Sequence, residues 1–186
     1  MKGLTMTTVL AAALVALAAA CGGSSSSSSS DTESASDWAN SVCGAMSTWV
    51  TAVQDAMSPV SKGDISKASL TGAGDDLKSA TSTFVDDVKA LGPPDTEQGQ
   101  QAKEEINTLA DELSNDADTI KSALNDISSG AGIASAVTTI STTAQKMGTQ
   151  AQTTVNNLQN LDAKGELKDA FQSSSNCKQL GTTTSS

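Results

Sequence analysis

The chain has 186 residues, with 21 acidic and 11 basic side chains and a formal net charge of −10; it contains no His, Tyr or Arg, every basic residue being Lys. So acidic a chain lacks the phosphate-neutralising groups that nucleic-acid binding needs, and it is ill suited to lying flat on anionic lipid headgroups. The absence of His rules out a Ser-His-Asp triad, a Glu-x-x-His di-iron site and most zinc sites, and no cofactor is expected.

In chain order, Lys2 precedes an Ala/Leu/Val run from about Val9 to Ala20, which closes on Leu17-Ala18-Ala19-Ala20-Cys21 and is followed by Gly22-Gly23 and seven serines. A basic start, an apolar core of about 7–15 residues and small residues at the cut mark a secretory signal. With a cysteine directly after the cut, the layout resembles the signal peptide of a bacterial lipoprotein. It departs from the usual lipobox in placing Leu17 one position early, so that Ala18 stands three residues before the cysteine. The resemblance implies cleavage before Cys21, lipid attached to Cys21, and a site at the extracytoplasmic face of the cell membrane. Each buried CH₂ contributes about 0.8 kcal/mol, so two or more acyl chains anchor firmly where one is marginal. The alternatives are an uncleaved anchor, for which the run is short and Ala-rich against the roughly 20 apolar residues a span needs, and plain secretion with a cut near Ala20. The expected boundaries are a signal peptide at 1–20, a lipidated Ser-rich tether at 21–36, a helical domain at 37–178 and a disordered tail at 179–186. Gly22 to Ser30 carry no apolar side chain, a composition that behaves as flexible coil. Loss of Lys2 with the signal takes the net charge to −11.

From Asp37 onward the apolar residues recur at helical spacing. Helix 1 is predicted over 37–57, with Ser36 as N-cap, the stripe Trp38, Val42, Met46, Trp49, Val53, Met57, and a stop at Ser58-Pro59. Helix 2 is predicted over 66–91 on Leu70, Ala73, Leu77, Ala80, Phe84, Val88 and Leu91, with a break or late start near Gly74 as an option, since each Gly costs about 1 kcal/mol against Ala. Pro93-Pro94 ends it. Helix 3 is predicted to start at Asp95 or Thr96 through an Asp95/Gln98 capping box and to carry Ala102, Ile106, Leu109, Leu113, Ala117, Ile120, Leu124 and Ile127. Helix 4 is predicted over 132–161 on Ile133, Val137, Ile140, Ala144, Met147, Ala151, Val155 and Leu158. Its outer face is rich in Thr, a mediocre helix former. A short last helix over 163–172 carries Leu167 and Phe171.

Four long stripes joined by short turns, with no strand-like alternation, predict an all-α, antiparallel up-down four-helix bundle with a short C-terminal helix. An extracytoplasmic location implies that the two remaining cysteines, Cys43 and Cys177, pair as a disulfide; the alternative is two separate buried thiols. Such a bridge closes a loop of over 130 residues, for which chain entropy gives about 5 kcal/mol as an upper figure. The predicted topology is compatible with the bridge, because the start of helix 1 and the end of helix 4 share one end. The tether leaves from that end, and the opposite end points away from the membrane.

Chemistry is thinly marked. The acidic pairs Asp75-Asp76, Asp86-Asp87, Glu104-Glu105 and Asp111-Glu112 lie off the apolar stripes and read as solvated faces, because general acid/base work needs carboxylates sharing a partly dry site. The stretch Asp111–Asp118 lacks the loop glycine and terminal Glu spacing of a calcium hand, leaving weak divalent binding as the alternative. Trp38 and Trp49, three turns apart on one face, read as core anchors, with stacking of a flat ligand as the alternative. No serine–lysine pair stands out as catalytic, and no enzyme activity is expected. Beyond Cys21 the chain resembles small helical lipoproteins of Gram-positive and actinobacterial envelopes that have no assigned activity, a likeness that implies no further site residue. Two functions follow: a non-enzymatic binding or structural module held at the membrane by its lipid, with another envelope protein as partner, or a carrier of a small apolar ligand between the helices. Ala73, Ala80, Ala144 and Ala151 discriminate, since close packing of these residues means a dry bundle and a cavity lined by them favours the carrier. Self-association through an uncovered stripe is a third possibility.

Overall fold

A computed structural model describes residues 33–127, 130–161 and 163–183. Cys21, the signal segment and most of the tether therefore lie outside the described residues. Within them the chain forms six helices: α1 (Ala35–Ser61), α2 (Lys67–Ala90), α3 (Gly99–Asn125), α4 (Gly130–Leu161), α5 (Glu166–Ser173) and α6 (Ser175–Thr183). The four long helices form an antiparallel bundle in which α1 packs on α2, α2 on α3 and α3 on α4. At one end Lys67 Nζ donates to the Ile127 carbonyl (2.9 Å) and ties the α1–α2 turn to the end of α3. At the other, the Asp95 amide donates to the Glu33 carbonyl (2.7 Å) and Glu97 pairs with Lys164 (3.3 Å), so the chain entering α1, the α2–α3 turn and the α4–α5 loop lie together. Cys43 and Cys177 are joined by a disulfide at this end.

Both tryptophans are core anchors. Trp38 is fully buried, meets Phe171 edge-on at 6.1 Å between ring centroids, and donates from Nε1 to the Gly92 carbonyl (2.9 Å). Trp49 lies 5.8 Å from Phe84 and donates to Thr81 Oγ1 (3.2 Å), satisfying a hydroxyl buried in the core. Around them Leu70, Leu77, Ile106, Leu109, Leu113, Ile120, Ile140, Met147 and Leu158 are all but excluded from solvent.

Several boundaries differ from the sequence expectation, each for a local reason. α1 starts two residues early because Ser34, not Ser36, is the N-cap: its Oγ accepts from the Asp37 amide (3.2 Å). It also runs through Pro59 to Ser61. A proline in the last turn removes a single i→i−4 bond, and the following amides still find carbonyls, Lys62 on Ser58 (3.0 Å) and Asp64 on Pro59 (2.9 Å). α2 is unbroken at Gly74, where an added Cβ would stand 2.0 Å from Leu124 Cδ1; the missing side chain lets α3 approach. α3 begins at Gly99, not Asp95. The Asp95 amide is taken by Glu33, residues 95–98 form a turn, and Gln98 at the N-cap makes no side-chain cap, so the Asp95/Gln98 box does not form. Gly99 is required there, since a Cβ would fall 2.0 Å from the Pro94 carbonyl oxygen. α5 starts at Glu166 rather than 163, after Gly165 takes a left-handed turn (φ 81°) that glycine alone adopts without strain. α6 was not expected; it is helical to Thr183, where a disordered tail from 179 was predicted. Ser174 starts it by accepting from the Cys177 amide (3.3 Å) while donating to Asn40 Oδ1 (3.0 Å), and Asn176 Nδ2 reaches the Asn40 carbonyl (3.0 Å).

The buried face of α4 is Ala136, Ile140, Thr143, Met147, Ala151, Thr154 and Leu158. Relative to the expected stripe, Ile133, Val137, Ala144 and Val155 are only half-buried. The helix is rotated toward α3, where Lys146 pairs with the buried Asp116 (2.7 Å) and Gln150 Nε2 donates to Glu112 (3.0 Å). The apolar flank of α4 is thereby turned toward α1.

Candidate functional site: an open seam between α1 and α4

Whereas three seams of the bundle are closed, the fourth is open: α1 and α4 barely touch. Near the disulfide end α5 packs against both of them, and α6 packs along α1. Phe171 of α5 packs edge-on against Trp38 and lines the space between the two long helices. The space between them is a groove of about 620 Å³, within the range of roughly 300–1,000 Å³ that small-molecule sites occupy.

Its walls follow from helix periodicity. On α4, Ala144, Gly148, Ala151 and Val155 line it as one row, and Gln152, Asn156 and Gln159 run beside them as a second, spacings of three and four that share a helix face. On α1 the lining is Cys43, Met46, Trp49, Val50, Val53 and Gln54. Phe171, Gln172, Cys177, Lys178 and Leu180 close the disulfide end. Gly148 is not a packing glycine: a Cβ there would meet nothing within 4 Å. In a chain with 21 acidic side chains, no Asp or Glu among the described residues lines this groove, and the one charged residue among them that does is Lys178. Lys178 Nζ donates to the Ser173 carbonyl (3.2 Å), which leaves an ammonium with donors to spare.

The four discriminating alanines divide. Ala73 is buried; Ala80 borders a small hollow of about 130 Å³ beside Trp49 and Phe84; Ala144 and Ala151 line the large groove. The bundle is therefore packed on the α2 side and hollow on the α4 side.

The acidic pairs sit where solvated faces were expected. Asp75, Asp76, Asp86, Asp87, Glu104, Asp111 and Glu112 are exposed and Glu105 is half-buried, and Lys89 reaches Asp111 (2.8 Å) and Lys78 reaches Asp118 across the α2/α3 seam. Asp116 is the exception within the acidic stretch, being 5% exposed and bonded to Lys146. Among the described residues no group of three His, Cys, Asp or Glu side chains is placed to hold a metal ion, and no helix is long and apolar enough to cross a membrane.

Sequence reasoning named Cys43, Cys177, Ala144 and Ala151, and the structure brings these four to one groove, while Ala73 and Ala80 lie elsewhere. It missed Gly148, the amide row and Lys178. A signal for the amides was present, since Gln152, Asn156 and Gln159 repeat at helical spacing beside the apolar stripe; nothing in the sequence revealed that this flank faces a gap. Comparison with protein-family models, curated proteins and solved structures finds no match to the chain, and the groove is read from its own chemistry.

Proposed function

We propose that the protein is a non-enzymatic carrier that holds a small apolar molecule in the α1/α4 groove, tethered by lipid on Cys21 to the extracytoplasmic face of the cell membrane. The observation that carries the reading is the open seam: a groove of about 620 Å³ lined, among the described residues, by aliphatic, aromatic and amide side chains, the disulfide and Lys178, without a carboxylate. Ligand sites are concave and mostly apolar with a few placed polar groups, and this lining has that composition. The end of the groove that α5 and α6 close is the end of the bundle at which the chain enters α1, so in a tethered protein that closed end faces the membrane and the groove opens along the α1/α4 flank.

Native mass spectrometry of the protein extracted gently from its own membrane tests the proposal. The expected species carries acyl mass, lacks two hydrogens for the disulfide, and holds a further mass that gas-phase activation releases. A bare acylated monomer would overturn the carrier, and a form without acyl mass would overturn the lipid anchor.

A further inference from the structure

We infer that the ligand of the groove is a single-chain amphiphile with an anionic headgroup, its head held by Lys178 and its tail lying on the Ala144/Gly148/Ala151 row; the inference rests on the carrier reading above. Charge decides the headgroup. The chain carries almost two acidic side chains for each basic one, yet among the described residues no acidic side chain lines the groove and Lys178 does. An acidic protein surface repels anions, so a channel with no described carboxylate in its lining and one ammonium at its end favours an anion. Among the described residues no carboxylate pairs with Lys178, and its single contact with the Ser173 carbonyl steadies it without neutralising it.

Polarity along the groove gives the orientation. Lys178 and Gln172 come from α5 and α6, which close the end held by the Cys43–Cys177 bridge. Because α4 runs antiparallel to α1, Asn156 and Gln159 lie toward that same end, and the amides there supply further donors to an oxyanion. Away from it the lining turns to Val50, Val53, Ala144 and Gly148, with Gln54 the one amide at that end, and no described charged residue lines it there. From Cys43 to Gln54 the α1 wall spans about 16 Å at about 1.5 Å per residue, the length of a medium acyl chain and not of a compact disc-shaped ligand. Gly148 supplies the width, since its missing side chain leaves space that nothing else fills.

The test uses the oxidised protein and three twelve-carbon compounds below their micelle concentrations: dodecanoate, dodecanol and dodecyltrimethylammonium. Binding is read from the fluorescence of Trp49, which lines the groove. Dodecanoate is expected to bind about five-fold tighter than dodecanol, the scale of a solvent-accessible ion pair, and dodecyltrimethylammonium more weakly than either. Lys178→Gln is expected to erase the difference between dodecanoate and dodecanol while leaving dodecanol affinity unchanged. Gly148→Leu, whose Cβ meets nothing within 4 Å and which removes a helix glycine, is expected to keep the fold and abolish binding of all three. Equal affinities in the wild type, or a dodecanoate preference that survives Lys178→Gln, would overturn the headgroup assignment while the carrier reading stands. Failure of every compound to bind, or binding indifferent to Gly148→Leu, would overturn the carrier reading with it.

Discussion

The α2/α3 and α1/α4 sides of the bundle are built from helices of similar length and have opposite outcomes. Across α2/α3, Gly74 lets Leu124 lie against the α2 backbone, Lys78 and Lys89 reach Asp118 and Asp111, and Lys103 of α3 donates to the Val88 (2.7 Å) and Lys89 (3.2 Å) carbonyls at the end of α2. Burial of that ammonium, with Lys89 nearby, lowers its pKa below the ordinary lysine value. Across α1/α4, small and half-buried side chains face a gap, because α5 occupies the end where the helices would converge. A helix stripe thus says which face is apolar; the partner that covers it depends on what else is wedged into the seam.

The largest expected way to break this contrast is to remove the staple. Replacing both Cys43 and Cys177 by Ala should cost about 2–5 kcal/mol in urea unfolding. Amide exchange should quicken in α6 and along the groove, with α2 and α3 still protected; uniform loss of protection would show that the two sides do not behave independently. Next, the two sides should respond unequally to truncation. Leu113→Ala, on the closed side and fully buried, should cost about 2–5 kcal/mol, and Val155→Ala, half-exposed at the groove, about 1 kcal/mol. Similar losses in thermal melts would mean that the seam is closed in solution.

A finer test uses two glycines. Gly148→Ala should raise stability by up to about 1 kcal/mol, as a helix glycine in open space, whereas Gly99→Ala should lower it because its Cβ meets the Pro94 carbonyl. Shifts of the same sign in melting temperature would remove the distinction between a glycine that fits a contact and one that leaves a gap. The smallest effect lies at the far end, where hydrogen bonds from Ser69 and Ser66 lower the Asp64 pKa below 3.8. Its contribution is present above the unfolded value and disappears as pH falls through the folded one. A carboxyl NMR titration should find Asp64 titrating below 3.8, and Asp64→Asn should flatten the acid limb of stability slightly; a midpoint at or above 3.8 would contradict the turn geometry.

The bundle was legible where side chains are large. Leu, Ile, Phe and Trp at three- and four-residue steps define one face of α1, α2 and α3, since each buries enough area to set the helix rotation. α4 was less legible because its flanks are Ala, Val and Thr, none of which buries the area of a Leu, Phe or Trp, so the apolar pattern fixes its rotation weakly and polar partners on α3 decide it. The start of α3 was misread because a local capping pattern lost to a long-range bond from Glu33. α6 offers only Cys177 and Leu180 as apolar groups and is held by the bridge and by Asn40, contacts more than 130 residues distant in sequence. The groove was the least legible feature, since a gap between helices is a property of neither helix alone.

The position of the bridge has a mechanical consequence. Cys43 and Cys177 lie 134 positions apart, and α2, α3, α4 and α5 all fall inside the covalent loop they close. Tension applied between the chain entering α1 and the chain beyond Cys177 passes through the first turns of α1 and across the two sulfurs, and never enters the helices between. A load strong enough to peel residues 33–43 from the surface would find the rest of the domain, the groove included, shielded by a bond it cannot unfold.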